Sequence, residues 1–217
     1  MFIEQAYDLY SPEDHRSWSL LFARLQPRWR RYACDRFREG LAALHLDPDR
    51  IPRLDDVNKF LGPLTGFRAR AVSGYVAPLV FFECLRRREF PTTIAIRPAD
   101  RLDYLPEPDI FHDICGHVPM HTDPAFAATL VRLGECARAA SEIGDAGARE
   151  SVLRGMARFF WFTIEFGLMR GPAGLRAYGS GLLSSLGEIE HAVDSPRVDR
   201  RPIDLERVVN EPFRIDE

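Results

Sequence analysis

Two histidines five positions apart are the first residues in this sequence whose types and spacing could do chemistry together. They are His112 and His117, within the segment 107–119. At 100° per residue, a regular α-helix would point the two imidazoles about 140° apart. They converge on one ion only if the helix ends or bulges between them, which Gly116 and Pro119 favour. The pair predicts part of a metal site, and the alternative is two unrelated polar histidines near a helix end.

A single carboxylate in an apolar segment offers a third ligand. Residues 159–169 are apolar on every side of a helix except at Glu165, so we expect this segment to be buried. Because a buried, unpaired carboxylate is strongly destabilising, Glu165 needs a metal ion or a cationic side chain beside it. The alternative to a metal ion is a salt bridge to one of the many arginines.

Two imidazoles and one carboxylate on one face of an ion are typical of non-haem Fe(II) oxygenases. Zinc accepts the same ligands, and a zinc hydrolase could use Asp113 or Glu107 as its general base. The ligands alone therefore do not select the metal. The neighbouring aromatic residues suit an aromatic substrate and a dry site, although each could equally be core: they are Phe111, Phe160, Trp161, Phe162 and Phe166.

The elements that must position these residues are mostly helices. Ser11-Pro12 predicts the start of a helix that runs to about Leu25, and a second helix is expected after Pro27. Further helices are expected near 54, 78–88, 107–116, 123–143 and 148–170, with short strands at 67–71 and 92–96. The fold class is mainly α with minor β (α+β). It comprises N-terminal helices at about 11–45 and a core at about 65–192.

Composition favours one ordinary globular domain spanning 1–217. With 29 basic and 32 acidic residues, the net charge of -3 argues against nucleic acid as a partner. The longest apolar segment is too short to span a membrane. The N-terminus lacks the pattern of a signal peptide, and the four cysteines form no CxxC pair, so reduced thiols and a cytoplasmic location are expected.

Three motifs in the same order resemble the pterin-dependent aromatic amino acid hydroxylases, and the bacterial phenylalanine 4-hydroxylases most of all. They are LDYLPEPDIFHDICGHVP (102–119), WFTIEFG (161–167) and AYGSGLLSS (177–185). The resemblance implies the catalytic-domain fold of that family. It also implies an iron(II)- and tetrahydropterin-dependent monooxygenase that hydroxylates the ring of a free aromatic amino acid, with L-phenylalanine to L-tyrosine favoured. The cofactors implied are Fe²⁺ and tetrahydrobiopterin or a related tetrahydropterin, with O₂ as co-substrate.

The resemblance also assigns roles by position. The iron ligands implied are His112, His117 and Glu165, with no further catalytic residue. The residues implied for the substrate are Arg97, which would hold its carboxylate, Trp161, Ser184 and Ser185. Those implied for the pterin are Phe81, which would stack on it, Asp113, Gly74 and Val76. Without the resemblance, Arg97 would be expected at the surface, Phe81 in the core, and Asp113 beside an imidazole.

Several positions depart from the family pattern. Phe160 stands where tyrosine is usual, Tyr75 where leucine is usual, and His121 where an apolar or small residue is common. His121 is expected to be a surface histidine, or else a spare ligand. The chain ends at Glu217, where family members continue into a segment that helps to cover the site, so a more open pocket or a covering partner is expected.

Alternatives to the favoured function remain at this point. They are tryptophan as substrate, attack at another ring position in a specialised biosynthetic pathway, and a non-catalytic metal-binding paralogue. A monomer or weak dimer is expected.

Overall fold

The computed structural model describes residues 1–103, 107–172 and 174–212, which are mostly helical with two small sheets. Helices α1 to α10 span Pro12–Tyr32, Asp35–Ala43, Leu54–Thr65, Pro78–Arg86, Val118–His121, Pro124–Ser141, Ala146–Phe160, Ser180–Leu183, Glu188–Asp194 and Leu205–Asn210. Strands β1 to β4 span Arg68–Val72, Glu89–Thr93, Leu168–Gly171 and Gly174–Ala177. Tyr7–Leu9 form a 3₁₀ turn, and two π-helical turns span His112–His117 and Trp161–Glu165. The expected fold class, mainly α with minor β, is confirmed.

The first helix begins where the sequence predicts but ends later. Ser11 and Asp14 form a reciprocal capping box at the start of α1. The prediction that the helix ends before Pro27 is wrong, because α1 continues through this proline to Tyr32. Proline removes one backbone hydrogen bond, but the buried stripe that runs from Trp18 to Trp29 packs along the whole helix and outweighs that loss.

The strands lie close to their expected positions, with two corrections. Strands β1 and β2 pair in parallel, and β2 begins at Glu89, three residues before the predicted strand. The helix predicted to run to 170 ends at Phe160, continues as the second π-helical turn, and gives way to the antiparallel hairpin of β3 and β4. Gly167 explains this exit, because a Cβ there would overlap the ring of Tyr178.

One cluster of buried apolar side chains extends from Trp18 in α1 to Ala192 in α9. Both π-helical turns pack against α8. Trp29 ties α1 to α8 directly, since its indole N–H donates a hydrogen bond of 2.7 Å to the Leu183 carbonyl. Among the residues that the structure describes, none of the helices has both the length and the apolar character needed to cross a membrane.

Candidate metal centre

The two histidines of the 107–119 segment lie on a π-helical turn. This turn spans His112–His117, and the N–H of Val118 bonds to the carbonyl of Asp113, five residues back. Residues five apart in a π-helix are one turn apart, whereas in an α-helix they face different directions. The predicted bulge between the histidines is therefore present, and the two rings lie 4.8 Å apart between centroids.

Gly116 allows this turn to sit against α8. A Cβ at position 116 would lie 2.8 Å from the carbonyl oxygen of Ser180 and 3.3 Å from the Cβ atoms of Ser180 and Ser184. Any larger residue would push α8 away from the imidazoles. The glycine inside the motif is explained by this close approach of two backbones.

The carboxylate is that of Glu165, the last residue of the other π-helical turn. The N–H of Phe166 bonds to the carbonyl of Trp161 at 3.0 Å, again over five residues. Glu165 faces the imidazoles of His112 and His117. The alternative of an arginine partner for Glu165 is wrong for the described residues.

The donor atoms of the three side chains converge. The Nε2 atom of His117 lies 3.0 Å from Oε1 of Glu165 and 3.2 Å from Nε2 of His112. The Nε2 atom of His112 lies 3.6 Å from Oε2 of Glu165. Bonds of about 2.1 Å at right angles around one ion would place neighbouring donors about 3.0 Å apart. The distances from Nε2 of His117 to Oε1 of Glu165 and to Nε2 of His112 are close to this value, so the three side chains can share one face of a metal ion. His112 and Glu165 remain 16% and 15% exposed, so small molecules can reach the remaining positions.

The hydrogen bonds around His112 assign its tautomer. Its Nδ1 atom lies 2.7 Å from the hydroxyl oxygen of Ser184, and that hydroxyl donates to the carbonyl of Ser180 at 2.8 Å. Because the single hydroxyl proton is used there, the Ser184 oxygen must accept, and Nδ1 of His112 carries the ring proton. Nε2 of His112 therefore has its lone pair free toward Glu165 and His117, as a metal ligand requires.

Burial and charge keep two of the side chains in ligand form at neutral pH. Burial lowers the pKa of His112 to about 4, so its imidazole is neutral. Burial would raise the pKa of Glu165, but the imidazoles of His117 and His112 and the hydroxyl of Ser180 outweigh it and bring that pKa to about 2. A neutral imidazole and an ionised carboxylate are the forms that bind a metal ion.

Arg97 is buried in an ion pair rather than exposed at the surface. Its Nε and a terminal nitrogen donate to both oxygens of Asp109 at 2.8 and 2.9 Å, and another nitrogen donates to the Leu102 carbonyl at 3.1 Å. Three of the five guanidinium N–H groups thus point at described partners. Burial would raise the pKa of Asp109, but the hydrogen bonds and charge of Arg97 lower it.

Asp109 is a residue that the sequence reasoning missed. Its Oδ1 atom also accepts the backbone N–H of His112 at 2.9 Å, so one carboxylate ties Arg97 to the turn of the histidines. A signal was present, because an aspartate just before an apolar helix start is a typical N-cap.

A cavity of ≈250 Å³ brings together two residues to which the resemblance assigns a role, Gly74 for the pterin and Arg97 for the substrate. Gly74, Tyr75, Thr93 and Arg97 all line it. Beside it, Asp113 is buried and accepts the N–H of Thr93 at 2.6 Å rather than a proton from an imidazole. Burial raises the pKa of Asp113 to about 7. Val76 is half-buried in the same loop as Gly74.

The aromatic residues divide between the site and the core. The ring of Phe160 stacks on His117 at 6.2 Å and meets the edge of Phe81 at 5.3 Å. Trp161 is half-buried, with its ring 4.7 Å from that of Phe166. Phe111 belongs to the core and not to a pocket wall, because it is fully buried against Trp18 and Trp29.

The two serines that end the third motif, Ser184 and Ser185, are placed differently. Ser184 contacts His112 as described above. The hydroxyl of Ser185 instead accepts the N–H of Glu188 at 3.3 Å, at the start of α9.

The expectation that His121 lies at the surface is wrong. Instead of lying at the surface, it is 0% exposed and sits among the rings of Phe67, Phe90 and Phe126. Neither ring nitrogen has a hydrogen-bond partner among the described residues. Burial lowers the pKa of His121 well below its ordinary value, so the imidazole is neutral.

Comparison with known proteins places this arrangement in a family. The sequence model of the family of biopterin-dependent aromatic amino acid hydroxylases matches residues 6–217 of this chain. Phenylalanine-4-hydroxylase of Caulobacter vibrioides is 44% identical over 215 residues, which cover 99% of this chain and 71% of that protein.

Two solved structures of phenylalanine hydroxylase from Chromobacterium violaceum match all of this chain and 76% of theirs. One has bound iron(III) and 7,8-dihydrobiopterin, with a TM-score of 0.92 and 41% identity. The other has bound iron and phenylalanine, with a TM-score of 0.91 and 40% identity.

The chain therefore belongs to the biopterin-dependent aromatic amino acid hydroxylase family. The resemblance to this family that the three sequence motifs indicate is confirmed, as is its catalytic-domain fold. Membership of this family and the relatives named phenylalanine-4-hydroxylase support an enzyme of this family rather than a zinc hydrolase.

Proposed function

We propose that this chain is an iron(II)- and tetrahydropterin-dependent monooxygenase that converts L-phenylalanine to L-tyrosine. The convergence of His112, His117 and Glu165 supports the proposal most directly, together with Asp109, which lines the cavity and links Arg97 to the backbone of His112. The named activity of the Caulobacter vibrioides relative and the phenylalanine bound by the Chromobacterium violaceum enzyme support the choice of substrate.

In this proposal, His112, His117 and Glu165 hold the iron. The iron and the tetrahydropterin together supply the activation of O₂ and the two electrons that a monooxygenase needs. The contribution of the chain is to fix these three ligands, to leave other positions on the ion open, and to keep bulk water out with the rings of Phe160 and Trp161.

Arg97 would bind the carboxylate of the amino acid. The fork to Asp109 holds the guanidinium plane in one orientation, and the N–H groups not directed at Asp109 or Leu102 would take the substrate. Trp161, Ser184 and Ser185 would lie on the side of the substrate ring.

Phe81, Asp113, Gly74 and Val76 would bind the pterin. The exposed face of the loop at Gly74 offers backbone groups to the edge of the pterin, and Phe81 offers a ring face. The carboxyl of Asp113, held by Thr93, offers a hydrogen-bonding group beside the same cavity.

The wider setting is also part of the proposal. We propose one catalytic domain spanning 1–217, supported by the continuous cluster of buried side chains that runs from α1 to α9. A cytoplasmic location is supported by the four free cysteines. A monomer or weak dimer is proposed, and size-exclusion chromatography tests it.

One assay tests the activity. Protein loaded anaerobically with Fe(II) is given tetrahydropterin and phenylalanine, tryptophan or tyrosine, and is then exposed to O₂ while products are identified by mass and retention time. We expect tyrosine from phenylalanine, with matching oxidation of the pterin. Oxidised pterin without a hydroxylated product from phenylalanine would contradict the substrate, and no turnover would contradict the function.

Variants separate the roles of the ligands from that of Arg97. His112→Ala, His117→Ala and Glu165→Gln should each greatly weaken iron binding, and near-native affinity would contradict that ligand. Arg97→Lys keeps the charge beside Asp109 but loses the two-pronged fork, so the KM for phenylalanine should rise while the iron content stays unchanged. Arg68→Lys, at an exposed arginine of β1, is the control. An unchanged KM in Arg97→Lys would remove the role assigned to Arg97.

A further inference from the structure

The geometry points to Ser180 as a positioning residue of the metal centre, whose hydroxyl holds one oxygen of Glu165 and so directs the other oxygen toward the metal. Neither the sequence motifs nor the roles assigned above give Ser180 a task. The inference rests on the proposed function, because it concerns how the third iron ligand is held.

The contacts of Ser180 are few and well defined. Its side-chain oxygen lies 2.7 Å from Oε2 of Glu165 and 3.3 Å from the carbonyl oxygen of Ile164. A serine hydroxyl has one proton to donate, and the shorter contact to a charged acceptor is the stronger hydrogen bond. The proton therefore belongs to Glu165. Ser180 is 1% exposed, so water does not compete for this bond.

The backbone before Ser180 explains how so short a side chain reaches the carboxylate. At position 179, a Cβ would overlap the carbonyl oxygen of Glu165 and lie 2.5 Å from the nitrogen of Gly167. Only glycine permits the start of α8 to lie directly on the end of the second π-helical turn. Ser180 follows as the first residue of α8 and faces Glu165.

Helix α8 and the residue directly after it contact two ligands from different parts of the chain. Ser180 holds Glu165, and Ser184, four residues later, holds His112. The hydroxyl of Ser184 also donates to the carbonyl of Ser180, which links the two anchors.

The two oxygens of Glu165 have different surroundings as a result. Oε1 lies 3.0 Å from Nε2 of His117, whereas Oε2 is held by Ser180 and lies 3.6 Å from Nε2 of His112. Without the hydroxyl of Ser180, Oε2 loses its anchor, and the carboxylate can rotate about its side-chain torsions. The affinity for the metal and the number of oxygens that coordinate it should then both change.

Cobalt provides a test that does not depend on turnover, since Co²⁺ accepts imidazole and carboxylate ligands and its visible absorption reports coordination geometry. The full chain is freed of metal with chelator and titrated with Co²⁺ for wild type, Ser180→Ala and Ser17→Ala. Ser17 is a serine of α1 that is also buried, at 2% exposed, and it makes none of the contacts described for the metal centre. The control thus removes the same atoms from an equally buried position.

We expect Ser180→Ala to bind Co²⁺ about tenfold more weakly and with an altered visible spectrum, because loss of a partner that orients a ligand typically weakens metal binding 10- to 100-fold. Ser17→Ala should match wild type in both measurements. An affinity for Ser180→Ala within about twofold of wild type, with an unchanged spectrum, overturns the inference, and so does an equal effect in Ser17→Ala. If wild type itself binds no Co²⁺, the proposed metal centre fails and this inference fails with it, whereas binding by wild type with no effect of Ser180→Ala overturns the role of Ser180 alone.

Discussion

The buried pair of Arg97 and Asp109 should be strongly coupled in free energy. The two side chains are 5% and 3% exposed. The carboxylate of Asp109 accepts two hydrogen bonds from the guanidinium, at 2.8 and 2.9 Å, and two from the backbone N–H groups of Arg97 and His112, both at 2.9 Å. Removing either partner leaves a buried charge without its counterion, which typically costs about 3–5 kcal/mol.

A double-mutant cycle with Arg97→Met and Asp109→Ala measures the coupling free energy between the two side chains. Each single variant should lower the free energy of unfolding by about 3–4 kcal/mol, since each strands the opposite charge. The double variant removes both charges, so its loss should be about 4 kcal/mol rather than the sum, which gives a coupling energy of about 3 kcal/mol.

Urea unfolding followed by circular dichroism measures these free energies. It should be run at pH 7 with chelator, so that metal binding does not add to the stability. The pair of Arg70 and Glu89 serves as the control, because its ionic contact is also short, at 2.7 Å, but its side chains are 40% and 21% exposed. Its coupling should be below about 1 kcal/mol. Equal coupling in the two pairs would refute the argument that burial makes the first pair strong.

Two further predictions concern buried titratable groups near the centre, both measured by urea unfolding of metal-free protein. In wild type, the pKa of Asp113 is about 7 when folded and near 3.8 when unfolded, so the unfolded state loses its proton first and stability falls as pH rises from about 4 to 7. Asp113→Asn lacks this titration, so its stability relative to wild type should increase over that range, and a difference that does not vary with pH would contradict the assignment. His121→Leu should raise the free energy of unfolding by about 1 kcal/mol or more, since it removes two buried ring nitrogens that have no hydrogen-bond partner in the part of the chain that the structure describes. A less stable variant would show that His121 has a partner.

The sequence predicted most of the elements and the convergence of the ligands for local reasons. The capping signals at Ser11 and Asp14, and the spacing of apolar residues, mark helices through short-range effects. The five-residue spacing of His112 and His117 required a bulge, and the structure has one.

The remaining features depend on contacts between distant parts of the chain. Whether a helix continues through Pro27 is decided by packing of residues on both sides of it. The pairing of Arg97 with Asp109 and of Ser180 with Glu165 joins side chains 12 and 15 positions apart, for which no local pattern exists. The burial of His121 could not be predicted from its neighbours in the sequence. It is due to Phe67, Phe90 and Phe126, which come from three other elements or segments.

The spacing of the two histidines and the π-helical turn depend on each other. In an α-helix, the side chains one turn before His117 are three or four positions back, so His112 would face away from Glu165. The π-helical turn contains one residue more, and Ile114 and Cys115 between the histidines are both fully buried while the two imidazoles face the carboxylate. A spacing of four on an ordinary helix would also place two imidazoles on one face, as in the zincins, but it would remove one of these anchoring residues from the core. The π-helical turn therefore allows the same six residues to pack in the core and to supply two ligands to the metal centre.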